Sequence, residues 1–357
     1  MSNSSNGKQT GPIMITFDIT YKCTIRCLHC FNNSGEHTNF ENEMTDDEVM
    51  KVASDILKLK PNIVCICGGE PLVRKELVYR VAELLTSGSN GQISVNMVTN
   101  GELLTEEVAQ KLKKAGLKNV QVSLDGHEAK YHDWLRNKVG AFGAAINAIK
   151  MFKKQEMLVS VSSTTTTKTL KHYKKTMELC RSIGVDIFRM QPLMLLGRAE
   201  KNLKDYVSTY SDYREVVTYI NHQKKINIGT DEMKTEWGDP IDHLVRASAK
   251  ENKYTSYLGV NAYGDITISP YIPLIFGNVA NRSLLDYWDS GLNKCWSIPL
   301  LRELASLPKS CEELDLTEHN KNLPKMYSDG FINLDLMKIK DFQQVTLQNI
   351  HNYVGSE

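Results

Sequence analysis

No run in the 357 residues approaches the unbroken apolar length that a membrane span needs, and the polar start, MSNSSNGKQTG, lacks the apolar core of a signal peptide. Charge of one sign is missing too. The 43 basic residues nearly cancel the 42 acidic ones, so no field exists to recruit nucleic acid or an anionic membrane. Eight cysteines are too sparse for a disulfide scaffold in a chain of this length, and they suit a reducing compartment, the cytoplasm. Lysine clusters such as Lys111, Lys113 and Lys114 fall in amphipathic helical patterns and read as solvated faces. With 41% hydrophobic and 24% charged residues, the chain reads as globular, with one large or two moderate domains.

From residue 13 to about 191, short β-branched runs alternate with helical patterns. Residues 12–20, 62–67, 92–99, 119–124, 157–164 and 185–191 read as strands by length and composition. Between them, Thr45 to Glu48 forms a capping box, Thr105 opens a further helix, and Gly116 and Gly184 close two others. Six strand and helix repeats imply parallel strands joined by right-handed crossovers, a fold of the α/β class. In such arrays chemistry sits at the C-terminal ends of the strands. After residues 197–202 the rhythm breaks. The expected organisation is a flexible N-terminus (1–12), the α/β array (13–225), a smaller α+β domain (226–315) and a charged C-terminal extension (316–357).

CTIRCLHC, residues 23–30, places three cysteines in eight positions. A structural zinc site would use Cys23, Cys27 and Cys30 with His29 or His37, but zinc motifs usually bring a second CxxC pair, and none is present. A ferredoxin cluster would need a fourth cysteine at a set spacing, also missing. The remaining reading is an iron-sulfur cluster with three thiolates and one open iron that a small molecule fills. Position favours it, because the motif follows the first strand directly. GGEPL (68–72) and TNG (99–101) follow the second and third strands, and such turns let a ligand approach the backbone closely.

These motifs together resemble the radical S-adenosylmethionine (radical SAM) enzymes. The resemblance covers about residues 13–200 and implies that the α/β array is a partial (β/α)6 TIM-like barrel. It implies that Cys23, Cys27 and Cys30 ligate a 4Fe-4S cluster, with S-adenosylmethionine chelating the fourth iron. It also implies that His29 lies near the adenine, that Gly68, Gly69 and Glu70 form the turn contacting the methionine amino group, and that Thr99 and Asn100 fall at the ribose end. SLDG (123–126), Arg136 and Ala141-Phe142 look like the subgroup with a C-terminal SPASM or twitch domain, in which Ser123 and Arg136 hold the SAM carboxylate.

The SPASM frame survives as Gly259, Gly264, Gly277-Asn278-Val279, Leu285 and Trp288, while Ser256 and Ser269 stand where the subgroup has cysteine ligands. Serine is a poor cluster ligand, so the expectation is one cluster under a cluster-free SPASM-like cap. Without an auxiliary electron acceptor, redox-neutral outcomes gain ground. Cys65, Cys67 and Cys180 read as packed thiols, leaving Cys295 and Cys311 as candidate hydrogen donors near the barrel mouth. Many members of this subgroup act on ribosomally made peptides, which implies epimerisation or crosslinking in natural-product biosynthesis. A separate recognition protein is then expected, because only about a dozen residues precede the first strand. A reductant such as flavodoxin or ferredoxin is implied as well. The alternatives are a small-molecule substrate such as an aminosugar or cofactor precursor, epimerised or dehydrogenated, and a scaffold whose chemistry has decayed.

Overall fold

Side chains along the first six strands alternate between a dry face and a cavity. In the computed structural model, which describes residues 11–353 apart from 38, 227–231, 319, 322 and 328, β1 (Met14–Asp18), β2 (Ile63–Cys67), β3 (Ser94–Thr99), β4 (Asn119–Ser123), β5 (Leu158–Thr165) and β6 (Ile187–Pro192) lie side by side in chain order. Every neighbouring pair among them is parallel. Ile15, Phe17, Val64, Ile66, Val120, Val122, Val159 and Val161 are fully buried in the hydrophobic core. Their alternates Thr16, Asp18, Cys67, Gln121, Ser123 and Ser162 line a cavity of about 360 Å³. Successive side chains of a strand point to opposite faces, so a β-branched and polar alternation writes both surfaces at once.

Helices make the crossovers: α1 (Asp46–Leu59), α2 (Lys75–Gly88), α3 (Glu106–Lys114), α4 (Ala129–Arg136) with α5 (Ala141–Lys154), and α6 (Tyr173–Ser182). The Thr45 hydroxyl accepts from the Glu48 N–H and the Glu48 carboxylate reaches back to the Thr45 N–H, forming the expected capping box. The apolar stripe of α1, Val49, Val52, Ala53, Ile56 and Leu59, is buried, and each larger side chain in it contributes roughly 1.5–3 kcal/mol. Strands that neighbour in sequence order, each followed by a helix, give the expected α/β, TIM-like partial barrel.

The sheet does not end near residue 225. After α7 (Arg198–Asn202) and α8 (Tyr210–Ile226), β7 (Lys234–Trp237) pairs in parallel with β6. At the other edge β8 (Tyr257–Val260) pairs in parallel with β1, and β9 (Ile266–Thr267) runs antiparallel to β8. Among the described residues the sheet has nine strands. The added ones are four residues or fewer, too short for periodicity to show which sheet they join. After α9 (Pro240–Ala247), β10 (Leu274–Ile275) pairs with β11 (Ile332–Asn333), and α10 (Leu284–Asp289) and α11 (Pro299–Ser306) complete the C-terminal layer. Its apolar side chains share one continuous core with the barrel, and the Leu284 N–H donates to Asp55 of α1 at 3.2 Å. No described helix is long and apolar enough to cross a membrane. Most of the expected flexible N-terminus, residues 1–10, and the last four residues of the C-terminal extension lie outside the described residues.

Candidate active site

The cysteine loop leaves β1 and is fastened from three directions. The Gly69 and Glu70 N–H groups donate to the Thr20 and Lys22 carbonyls at 2.7 and 2.9 Å. Gly68 has φ +140°, and a Cβ there would run into the Thr20 carbonyl, so only glycine fits. From the far side comes Arg198, which the sequence reading missed. Its Nε donates to the Cys27 carbonyl at 2.8 Å and its Nη1 to the Ser34 carbonyl at 3.0 Å. Its own backbone N–H donates to the Cys30 carbonyl at 3.0 Å. The third tie is the Leu28 N–H to the Leu135 carbonyl of α4 at 2.9 Å. Held this way, Cys23, Cys27 and Cys30 all line the cavity.

Glu70 is fully buried and its carboxylate is engaged on both oxygens. Oε1 accepts from the Leu72 N–H at 3.1 Å and the Thr99 hydroxyl at 2.8 Å, and Oε2 from the Asn100 N–H at 2.8 Å. Burial pushes its carboxyl up to about 7, against the pull of these donors. Glu70 does not reach the cavity surface, whereas Gly68, Gly69, Thr99 and Asn100 do. Expected as a cofactor contact, it acts on the geometry by knotting the ends of β2 and β3. Asn100 Nδ2 in turn donates to the Thr24 hydroxyl at 3.1 Å, inside the cysteine loop.

Ser123 lines the cavity and Arg136 joins it from α4. Arg136 is no surface residue, because its Nε donates to Asp125 Oδ2 at 2.6 Å and both side chains are buried. Asp125 Oδ1 accepts from the Thr164 N–H at 2.9 Å, tying in β5. Burial alone would raise the Asp125 carboxyl, but the Arg136 guanidinium overrides it and holds it well below the usual carboxylate range. Arg136 Nη1 sits 3.8 Å from Cys27 Sγ. Burial pushes the Cys27 thiol up to about 12, with Arg136 opposing. Asp125 was legible as part of SLDG, yet nothing in the sequence shows that it pairs with a residue eleven positions on.

His29 lines the cavity with its Nδ1 buried and without a hydrogen-bond partner. Burial, reinforced by Arg136, pushes its imidazole down to about 3, so it is neutral at ordinary pH. A neutral imidazole on the cavity wall suits a flat heteroaromatic ligand such as a purine. Among the described residues no three His, Cys, Asp or Glu side chains form a single-ion site. His37 is engaged elsewhere, stacked on Tyr21 at 4.2 Å and bonded to Tyr263 at 3.1 Å. Three thiols that share a cavity without converging on one point suit a polynuclear cluster, where each thiolate takes a different iron, better than one zinc ion.

Two expectations about the other cysteines change. Cys295 is fully buried in the C-terminal core, its Sγ 4.0 Å from the Gly291 carbonyl, and is absent from the cavity wall. Cys311 packs partly buried against the core, with burial pushing its thiol up to about 12, and it does not line the cavity either. Their position late in the chain pointed to the mouth, but side-chain direction put both into packing. Cys67, expected to pack as a small hydrophobe, faces the cavity and stands 3.4 Å from Cys65 Sγ. Cys180 is core, as expected.

The Radical SAM superfamily pattern matches residues 17–180, from β1 into α6, so this stretch is similar to a radical SAM domain. The cofactors of this family are a 4Fe-4S cluster and S-adenosylmethionine. The chain is 26% identical over 299 residues to an AdoMet-dependent heme synthase of Methanosarcina barkeri, covering 78% of this chain and 82% of that protein. It is 24% identical over 283 residues to the sporulation killing factor maturation protein SkfB of Bacillus subtilis, covering 77% and 64%. Streptococcus suis SuiB bound to precursor peptide SuiA matches with a TM-score of 0.62 at 16% identity, over 78% of this chain and 65% of SuiB, a likeness of fold.

Proposed function

We propose that this protein is a radical SAM enzyme with one 4Fe-4S cluster held by Cys23, Cys27 and Cys30, acting on one residue of a peptide substrate. The observation that carries this reading is the meeting of three thiols, the Gly68-Gly69 turn, Asn100 and Arg136 on one cavity at the strand ends. When bound, the reduced cluster and S-adenosylmethionine together supply a 5′-deoxyadenosyl radical that takes a hydrogen atom from the substrate. The chain's own groups bind and orient. Arg136, with Nε fixed by Asp125, keeps its remaining N–H groups for the SAM carboxylate, and Ser123 lies on the same wall. Gly68 and Gly69 offer backbone to the methionine amino group, Thr99 and Asn100 take the ribose end, and neutral His29 takes the adenine edge.

A cavity of about 360 Å³ is at the small end of ligand pockets, roughly 300–1,000 Å³. A cavity of this size cannot enclose a whole peptide, which supports a substrate that presents one side chain and keeps its remainder outside. SkfB is a maturation protein by name, and SuiB was captured with a precursor peptide. We read the C-terminal layer as SPASM-like without its own cluster, since Ser256 and Ser269 replace cysteines and Cys295 is packed away. A redox-neutral outcome such as epimerisation fits this single cluster, with Cys67 as our candidate hydrogen donor. The resulting thiyl would need an electron and a proton to return to the thiol. A separate peptide-recognition protein and a flavodoxin or ferredoxin reductant belong to the same proposal. The 299-residue match to a heme synthase favours a second reading, a small-molecule substrate. Reaction with candidate peptides in deuterated water tests the first: one deuteron gained at unchanged connectivity supports thiol-mediated epimerisation. A loss of two mass units indicates oxidation, and turnover of small molecules alone favours the second reading.

A further inference from the structure

We propose that Asp18 anchors a positively charged amine of the substrate, a primary ammonium group seated between its carboxylate and the tyrosine rings of the cavity wall. This rests on the reading of the cavity as the active site. Asp18 ends β1, in register with Cys67 of β2. It is the one acidic side chain among the described residues lining the cavity, and no hydrogen bond or ion pair reaches its carboxylate from any described residue. Both arginines of the same cavity are already engaged, Arg136 by Asp125 and Arg198 by the cysteine-loop carbonyls and Glu36. Among the described residues, therefore, none supplies Asp18 with a counter-charge.

Its surroundings suit a cation. Tyr21, Tyr257 and Tyr327 all lie within electrostatic reach of the carboxylate. The Tyr257 hydroxyl is paired with Thr16 at 2.6 Å and the Tyr327 hydroxyl donates to the Pro270 carbonyl at 3.2 Å. The Tyr21 ring is already stacked on His37 on one face, so what Tyr257 and Tyr327 have left to offer is their π-faces, which attract ammonium groups. A partly buried carboxylate without a partner is costly, and a bound cation removes that cost. Burial pushes the Asp18 carboxyl up to about 7, as expected of a carboxylate awaiting a counter-charge. Asp18 also lies toward β8 and β9, whereas Asn100 and Arg136 approach from β3 and α4.

The test is equilibrium binding to the cluster-reconstituted protein with SAM present. The probes are Nα-acetyl-lysine methylamide, its uncharged counterpart Nα-acetyl-norleucine methylamide, and glucosamine. Expected is a preference of about tenfold or more for an ammonium probe over the norleucine probe, lost in Asp18→Asn and kept in Asp18→Glu. Preference for the lysine derivative marks a peptide side chain as the source of the amine, and preference for glucosamine marks a small molecule. Equal binding of charged and uncharged probes to the unmodified protein, or undiminished preference in Asp18→Asn, overturns the proposal. The readout is independent of SAM cleavage, so absent cleavage with intact amine preference counts against the radical reading and not against Asp18.

Discussion

Arg136 donates its Nε–H to Asp125 Oδ2 at 2.6 Å, with both side chains buried beside the cysteine loop. The pair joins the end of β4 to α4, and the Thr164 N–H extends the tie to β5. Removing one partner of a buried ion pair leaves the other uncompensated and costs about 3–5 kcal/mol, whereas replacing both costs far less. Arg136→Met should therefore destabilise the chain by about that amount in urea unfolding. The double variant Asp125→Asn, Arg136→Met should recover much of the loss. If the double variant is as unstable as the sum of the singles, the two residues do not act as a pair.

Stability should also depend on pH in a particular direction. Burial pushes the carboxyls of Asp18 and Glu70 up to about 7, from ordinary values of 3.8 and 4.5. Between those limits the folded state holds more protons than the unfolded one. Their contribution is thus complete below about pH 4 and is lost as pH rises through 7. The groups facing Asp18, namely Tyr21, Cys67, Tyr257 and Tyr327, all have values raised above their usual ones and stay neutral across this range. Asp18→Asn should gain on the parent as pH rises, by at most about 4 kcal/mol. Urea unfolding of the cluster-free protein across this range measures it, and a difference that stays flat with pH refutes it.

Cys67 and Cys295 should respond differently to substitution. Cys295→Ala removes a packed side chain and should lower stability by about 1 kcal/mol while leaving product unchanged. Cys67→Ala should leave SAM cleavage intact and abolish deuterium incorporation from solvent into product. Loss of solvent label in Cys295→Ala, with Cys67→Ala unaffected, would reverse the assignment. Mass spectrometry of the product gives the answer.

The barrel was legible because its strands alternate β-branched and polar residues, as in β1, where Ile15 and Phe17 are buried and Thr16 and Asp18 line the cavity. The cysteine motif and the turn at Gly68 were legible as local patterns. Alternation gives two faces without saying which is interior, so the sequence alone does not show that Cys67 faces the cavity. Arg198 lies 171 residues from the Cys27 carbonyl it holds, and a contact made by folding over that distance leaves no local signal. β7 and β8 were too short for their place in the sheet to be read. Glu70 was legible as a residue of the site, but its three backbone and side-chain donors, which keep it off the cavity surface, appear only once β2 and β3 are side by side.

The central claim is that Cys23, Cys27 and Cys30 hold one cluster whose open iron takes S-adenosylmethionine. Anaerobic reconstitution followed by iron and sulfide analysis, with electron paramagnetic resonance of the reduced protein before and after adding SAM, tests it most directly. The expected result is about four irons and four sulfides per chain, a reduced-cluster signal that SAM shifts, and loss of both in a folded Cys27→Ala variant. About eight irons per chain, a zinc ion in their place, or a signal indifferent to SAM would contradict it.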